Sequence, residues 1–146
     1  MAEIVQVPRS AFTFCRWSLT GLLWAAFLLR QTWMVPLVLV LLGLSALLKV
    51  HRSPMILLWS WTTLRLSPPI HYEFMDVAAM RFAHGAGTLM ALGVLLALLV
   101  VPHGGRMALL AFCCLKSVSA LGFCPASKLF VCLRKGGCCA LTRVKC

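Results

Sequence analysis

Carboxylates are almost missing from this chain: Glu3, Glu73 and Asp76 are the three acids among 146 residues. Paired-carboxylate catalysis therefore has almost no raw material. Charge of either sign is sparse as well, at 12% of residues, too little for the surface of an ordinary soluble domain. No glycine-rich phosphate loop, zinc-protease His-Glu pair or Ser-His-Asp set occurs. A cleavable leader is not expected either, because Met1–Ser10 carries one acid and one Arg and no small-x-small site follows with the right flanks.

What fills the space is apolar. The chain is 62% hydrophobic with a mean hydropathy of +0.95, and this composition predicts an integral membrane protein. Its net charge of +11, from 14 Lys and Arg, would raise the question of nucleic acid in a soluble protein. Here the cations cluster in short segments beside apolar runs, so anionic lipid headgroups explain them and nucleic acid is not a partner. The bilayer is the partner this pattern calls for.

Four apolar segments predict four crossings, at about 12–29, 33–48, 77–101 and 107–124. The first two are just long enough to cover a hydrocarbon layer of about 30 Å at 1.5 Å per residue. Between the second and third crossings, 55–66 is too short to span, and its Trp59 and Trp61 favour the headgroup region, so it reads as an interfacial helix. Ser67-Pro68-Pro69 ends it. Glu73 and Asp76 stand where the positive end of a third helix would favour them, and Pro102-His103-Gly104-Gly105 closes that helix. Residues 133–146 form a basic, Cys-rich tail. The expected fold is all-α, a single-domain integral membrane four-helix bundle of four transmembrane helices plus one short interfacial helix.

Orientation follows from the cations. Arg9, Lys49, Arg52, Arg65, Arg81, Lys128, Arg134, Lys135, Arg143 and Lys145 fall on one side, Arg30 and Arg106 on the other, with Arg16 and Lys116 inside spans. The positive-inside rule then puts both termini in the cytoplasm of a bacterial inner membrane. Its reducing conditions argue against a disulfide framework for the eight cysteines.

Chemistry concentrates at the fourth helix. Lys116 lies near mid-bilayer, where a charge costs at least roughly 2.5–3.5 kcal/mol, so something must offset it. Helical spacing puts Cys113, Lys116, Ser117, Ala120 and Cys124 on one broad face. In Cys124-Pro125-Ala126-Ser127 the proline serves as the first residue of a new helical turn. Cys124 then falls at its N-cap, where the dipole and free amides stabilise a thiolate. Lys128 is one turn on. Cys113-Cys114 and Cys138-Cys139 are vicinal pairs with Cys124 and Cys132 between them, and thiolates suit soft ions. Cys113, Cys114 and Cys124 are the candidate ligands of such a thiophilic metal ion. The tail lacks the Cys-x2-Cys pairs of structural zinc. Asp76, Arg81 and His84 make a second polar group on the third helix, with Asp76 on a face shared by Ala79, Ala83 and Gly87. His84 is a candidate proton relay or soft-metal ligand.

Asp76-x4-Arg81-Phe82-Ala83-His84-Gly85, together with Gly122-Phe123-Cys124-x3-Lys128-Leu129-Phe130, resembles domain-of-unknown-function family 4395, small bacterial integral membrane proteins. The likeness runs from about Phe14 to Cys132. It implies a four-helix membrane fold and no established activity. Some members carry a second Cys where this chain has Ser127, which removes a simple dithiol from the segment.

The functional expectation is a multi-pass membrane protein that binds or moves a soft metal ion or a sulfur species along a cysteine-lined helix. Its alternatives are a membrane thiol-redox partner, working with a cytoplasmic thiol protein, and a structural subunit without chemistry of its own. No catalytic residue is assigned.

Overall fold

The computed structural model describes residues 4–48, 57–59, 61 and 71–135. The polar patch after the second apolar run, most of the interfacial segment at 55–66, and the tail with Cys138 and Cys139 lie outside the described residues.

Helices dominate. α1 (Arg9–Leu28) and α2 (Met34–Leu47) form the first hairpin, and α3 (Val77–Val100) and α4 (Pro102–Ala120) the second. A shorter α5 (Pro125–Lys135) follows. Neighbours in space are α1 with α2, α2 with α3, α3 with α4, and α4 back with α1. The four long helices thus close a ring, and α5 lies against α3. α1 and α3 are long and apolar enough to cross a membrane, while α2 is a shorter apolar helix.

One element is absent from the sequence expectation. β1 (Ile4–Pro8) pairs antiparallel with β2 (Tyr72–Asp76), Ile4 opposite Asp76 and Pro8 opposite Tyr72. The β-branched run Ile4-Val5 and Val7 suits a strand, but its partner is more than sixty residues away, beyond the reach of local pattern. Glu73 is accordingly part of a strand, not of a helix's first turn. The ribbon ties the entry to α1 to the entry of α3, so these helices start at the same end of the bundle.

Each helix boundary has a local cause. Asp76 caps α3 by accepting a hydrogen bond from the Ala78 amide at 2.9 Å, the usual work of an N-cap carboxylate. Its far end does not break across Pro102-His103-Gly104-Gly105. Val101 alone turns the chain and α4 begins at Pro102, which needs no amide donor in a first turn. Gly105 explains the tightness of that turn, since a Cβ there would stand 2.5 Å from the Leu98 backbone. α4 ends in a Schellman motif: the Phe123 amide reaches back to the Val118 carbonyl and the Gly122 amide to that of Ser119, each at 3.2 Å. Gly122 takes the left-handed φ of 103° the motif requires. Arg30 does the same after α1, at φ 54°, with the Gln31 amide bonded to the Ala26 carbonyl.

Inside the ring, Cys15, Leu19, Leu23 and Ala26 of α1 meet Val35, Val38 and Leu42 of α2, Ala91 and Val94 of α3, and Leu109, Phe112 and Cys113 of α4. Outside it, Leu89, Leu92, Leu96 and Leu99 leave an exposed apolar stripe down α3, and Leu37, Val40, Leu44 and Leu47 another on α2. Surface of that extent is unfavourable in water and natural in lipid.

Candidate thiolate site

A polar seam runs through the otherwise apolar contact of α1 with α4. Trp24 Nε1 donates to Ser117 Oγ at 2.9 Å, and that hydroxyl donates to the Cys113 carbonyl at 2.9 Å. Thr20 donates to the Arg16 carbonyl at 2.9 Å and stands 3.4 Å from that of Lys116. Arg16 ends the seam by donating to the Ser119 carbonyl, so its charge sits at the last turn of α4, where the dipole is negative. Arg16 thus has a definite partner.

Lys116 lies one turn before the end of α4, not at mid-span as expected, and projects toward α3. Its Nζ is 5.7 Å from the centre of the Phe112 ring, and a Cβ on Gly87 would lie 3.0 Å from it. The absent side chain at Gly87 is what makes room for the ammonium. From there the charge acts on His84, one turn back along α3, and on the sulfurs of Cys15 and Cys124. His84 keeps part of its ring at the surface, but its Nδ1 is fully covered and has no hydrogen-bond partner.

Cys124 stands immediately before Pro125, the first residue of α5. The Schellman turn at Gly122 reverses the chain, and proline then starts α5 at once. Burial by itself pushes the Cys124 thiol up. Hydrogen bonds to the sulfur from the Ser119 hydroxyl, from the amide and hydroxyl of Ser127 and from the Ala126 amide outweigh it, and the thiol lies below its ordinary range. The Ser127 hydroxyl also reaches the Cys124 carbonyl at 3.1 Å, so its one proton is shared between two acceptors. Lys128 stacks its Nζ 3.4 Å over the Phe123 ring, beside the sulfur in sequence.

The other expected residues have separate places. Cys113 is buried in the core and Cys114 is exposed, because vicinal positions on a helix diverge by about 100°. The structure does not gather Cys113, Cys114 and Cys124 into one ligand set, and among the described residues no three His, Cys, Asp or Glu groups could hold a metal ion. Cys132 lies half-buried two turns along α5. Asp76 is a helix cap. Arg81 donates from Nε to the Ala46 carbonyl at 3.0 Å, neutralising the end of α2. Sequence reasoning passed over Cys15 and Ser119, whose neighbours come from other helices, and read Gly87 only as part of a small-residue face, not as the space that Lys116 occupies. For Arg16 a signal existed, as a cation inside an apolar span requires a buried partner.

Fold and site together define a helical bundle, with two helices long and apolar enough to cross a membrane and a thiol at its end that accepts several hydrogen bonds. The chain belongs to the family described as Domain of unknown function (DUF4395), whose model matches residues 7–135. No curated protein and no solved structure matches it.

Proposed function

We propose that this is a four-span bacterial inner-membrane protein, both termini cytoplasmic, that receives a thiophilic species, a soft metal ion or a sulfur compound, at the Cys124 thiolate. One observation carries the proposal: Cys124 takes hydrogen bonds from Ser119, Ser127 and Ala126 at the amino end of α5. A thiolate, not a thiol, is the nucleophile and the soft-ion ligand, so a donor set that lowers the cost of ionisation prepares the residue for capture. The membrane assignment rests on the exposed leucine stripes of α2 and α3 and the ten-to-two division of flanking cations. Ser127 in place of a second thiol favours capture and release to a cytoplasmic thiol partner over a self-contained disulfide cycle.

The test is competitive alkylation of the full chain in mild detergent with limiting, uncharged N-ethylmaleimide at pH 6.5, read by peptide mass spectrometry. Cys124 is expected to react first, ahead of the more exposed Cys114, and Cys124→Ser to remove the fast phase. Alkylation following exposure alone, with Cys114 leading, would overturn the proposal.

A further inference from the structure

α5 differs in kind from the helices before it. Its 11 residues rise about 16 Å, half of what a hydrocarbon layer of about 30 Å requires. It is the least apolar of the described helices on average, yet it separates apolar from polar residues most sharply around its axis. Its charged residues are Lys128, Arg134 and Lys135, with no acid among them. Low mean hydropathy, strong two-sidedness and charge carried by Lys and Arg mark a helix that lies in a membrane surface, and the length forbids a crossing.

Packing sets its depth. One side of α5 is taken by protein: Ser127 is buried, and the Phe130 ring packs 5.3 Å from that of Phe82. Phe82, Leu89 and Leu96 follow at intervals of two helical turns down one exposed face of α3. From Phe82 to the turn at Val101 the helix rises about 28 Å, nearly the full hydrocarbon thickness. With lipid against that face, α5 stands at its rim.

The surface that α5 leaves open suits this place. Leu129 and Phe123, the latter in the turn before α5, are each more than half exposed, and Lys128 holds its Nζ 3.4 Å over the Phe123 ring. Such a pair puts an apolar body toward acyl chains and a charged tip among headgroups. A second apolar rim lies at the same end. Trp59 stacks on Phe14 of α1 at 4.3 Å, which keeps Leu57, Leu58 and Trp61, all more than half exposed, near the start of α1. Among the described residues this end carries Arg9, Arg16, Arg81, Lys128, Arg134 and Lys135 against Glu73 and Asp76, and Asp76 is already engaged as the α3 cap. An apolar rim with an excess of cations complements an anionic headgroup layer and not a neutral one. An acidic protein partner would match the charge, but not the alignment of α5 with the end of the lipid-facing stripe.

We infer that α5 and Phe123 form a seat for anionic phospholipid headgroups, which holds Cys124 at headgroup depth. The inference rests on the membrane assignment proposed above and is independent of the reactivity of the thiol.

The full chain is reconstituted into vesicles of phosphatidylcholine alone and of an equal mixture with phosphatidylglycerol, and amide hydrogen exchange is followed by mass spectrometry. Exchange through 126–135 is expected to be about tenfold slower in the anionic vesicles, since each cation near an anionic surface contributes about fivefold in affinity, and the difference to fade at high salt. The α3 amides at 89–99 should exchange alike in both. Combining Lys128→Gln, Arg134→Gln and Lys135→Gln should abolish the difference, and the salt dependence of the unaltered chain tests the same charges should that variant fold poorly. Equal exchange of α5 in the two lipids overturns the inference: equal and slow means that contact with α3 alone holds the helix, equal and fast that its open face belongs to a soluble protein. Failure of the chain to float with either kind of vesicle would sink the membrane assignment, and the lipid seat with it.

Discussion

Four donors meet at one sulfur in Cys124, and the consequence is a pH dependence whose sign can be worked out. The folded thiol binds its proton more weakly than the unfolded one, because the hydrogen bonds reward the anion more than burial penalises it. Its contribution to stability is therefore complete above the ordinary thiol range and is lost as pH falls through the lower, folded value. Reactivity follows the same curve: alkylation of Cys124 should persist to lower pH than that of a free small thiol. Ser127→Ala removes the hydroxyl donor while leaving the Ser127 amide in place. It should shift the alkylation profile to higher pH and slow the reaction at pH 7 by roughly three- to tenfold, the scale of one partly solvated hydrogen bond to an ion. Stopped alkylation followed by mass spectrometry across pH 5–9 reads the shift. An unmoved profile would mean that Ser127 supports the turn and not the thiolate.

Helix against helix, the bundle uses glycine for two different purposes, and substitution separates them. At Gly105 an added Cβ would meet the Leu98 backbone at 2.5 Å and the Ala97 carbonyl carbon at 2.7 Å. Backbone cannot yield as a side chain can, so Gly105→Ala must spread the α3–α4 turn, at a cost of about 1–3 kcal/mol, typical of overpacking. At Gly87 the nearest atom is the tip of Lys116 at 3.0 Å, and a flexible side chain can move. Gly87→Ala should therefore leave the melting temperature in detergent nearly unchanged while altering the alkylation rate of Cys124, because the ammonium is displaced. Gly93, with no neighbouring atom within 4 Å of its missing Cβ, is the control: alanine there is neutral or gains about 0.5–1 kcal/mol from helix propensity. If Gly87→Ala destabilises as much as Gly105→Ala, Lys116 is wedged in place and not a movable charge.

Much of this element-level structure was legible before any coordinates. Apolar runs bounded by Arg30, Pro102 and Gly122 located the long helices, and Cys124-Pro125 announced an N-cap with a helix behind it, which α5 bears out. The Pro102–Gly105 stretch misled because proline and glycine signal termination locally, whereas here they permit two helices to meet through one residue. The ribbon stayed hidden since neither Ile4–Pro8 nor Tyr72–Asp76 has meaning without the other. Lys116 was recognised as a cost needing an explanation. Its relation to Gly87 and Cys15 depends on helix packing, which single-chain periodicity does not encode.

At the scale of the whole molecule, the ribbon and the two hairpins decide where the thiol faces. β1 pairs with β2, so α1 and α3 begin at one end. α4 runs back antiparallel to α3 after the single residue Val101, and therefore delivers Cys124 and α5 to that same end. Contacts agree: Arg16, early in α1, bonds Ser119, late in α4, and Phe82, early in α3, packs 5.3 Å from Phe130 of α5. Arg9, Arg81 and Lys128 lie at this end, while Arg30 and Arg106 lie at the opposite one. In the orientation proposed above, the positive-inside rule makes the thiol end the cytoplasmic one, the compartment in which a free thiolate stays reduced. A membrane-impermeant anionic thiol reagent should thus leave Cys124 unmodified in intact cells and modify it in inverted membrane vesicles. Addition of detergent to the cells should restore labelling. Modification in intact cells at the rate seen in inverted vesicles would reverse the orientation, and would place the captured species and its thiol partner on the outer face instead.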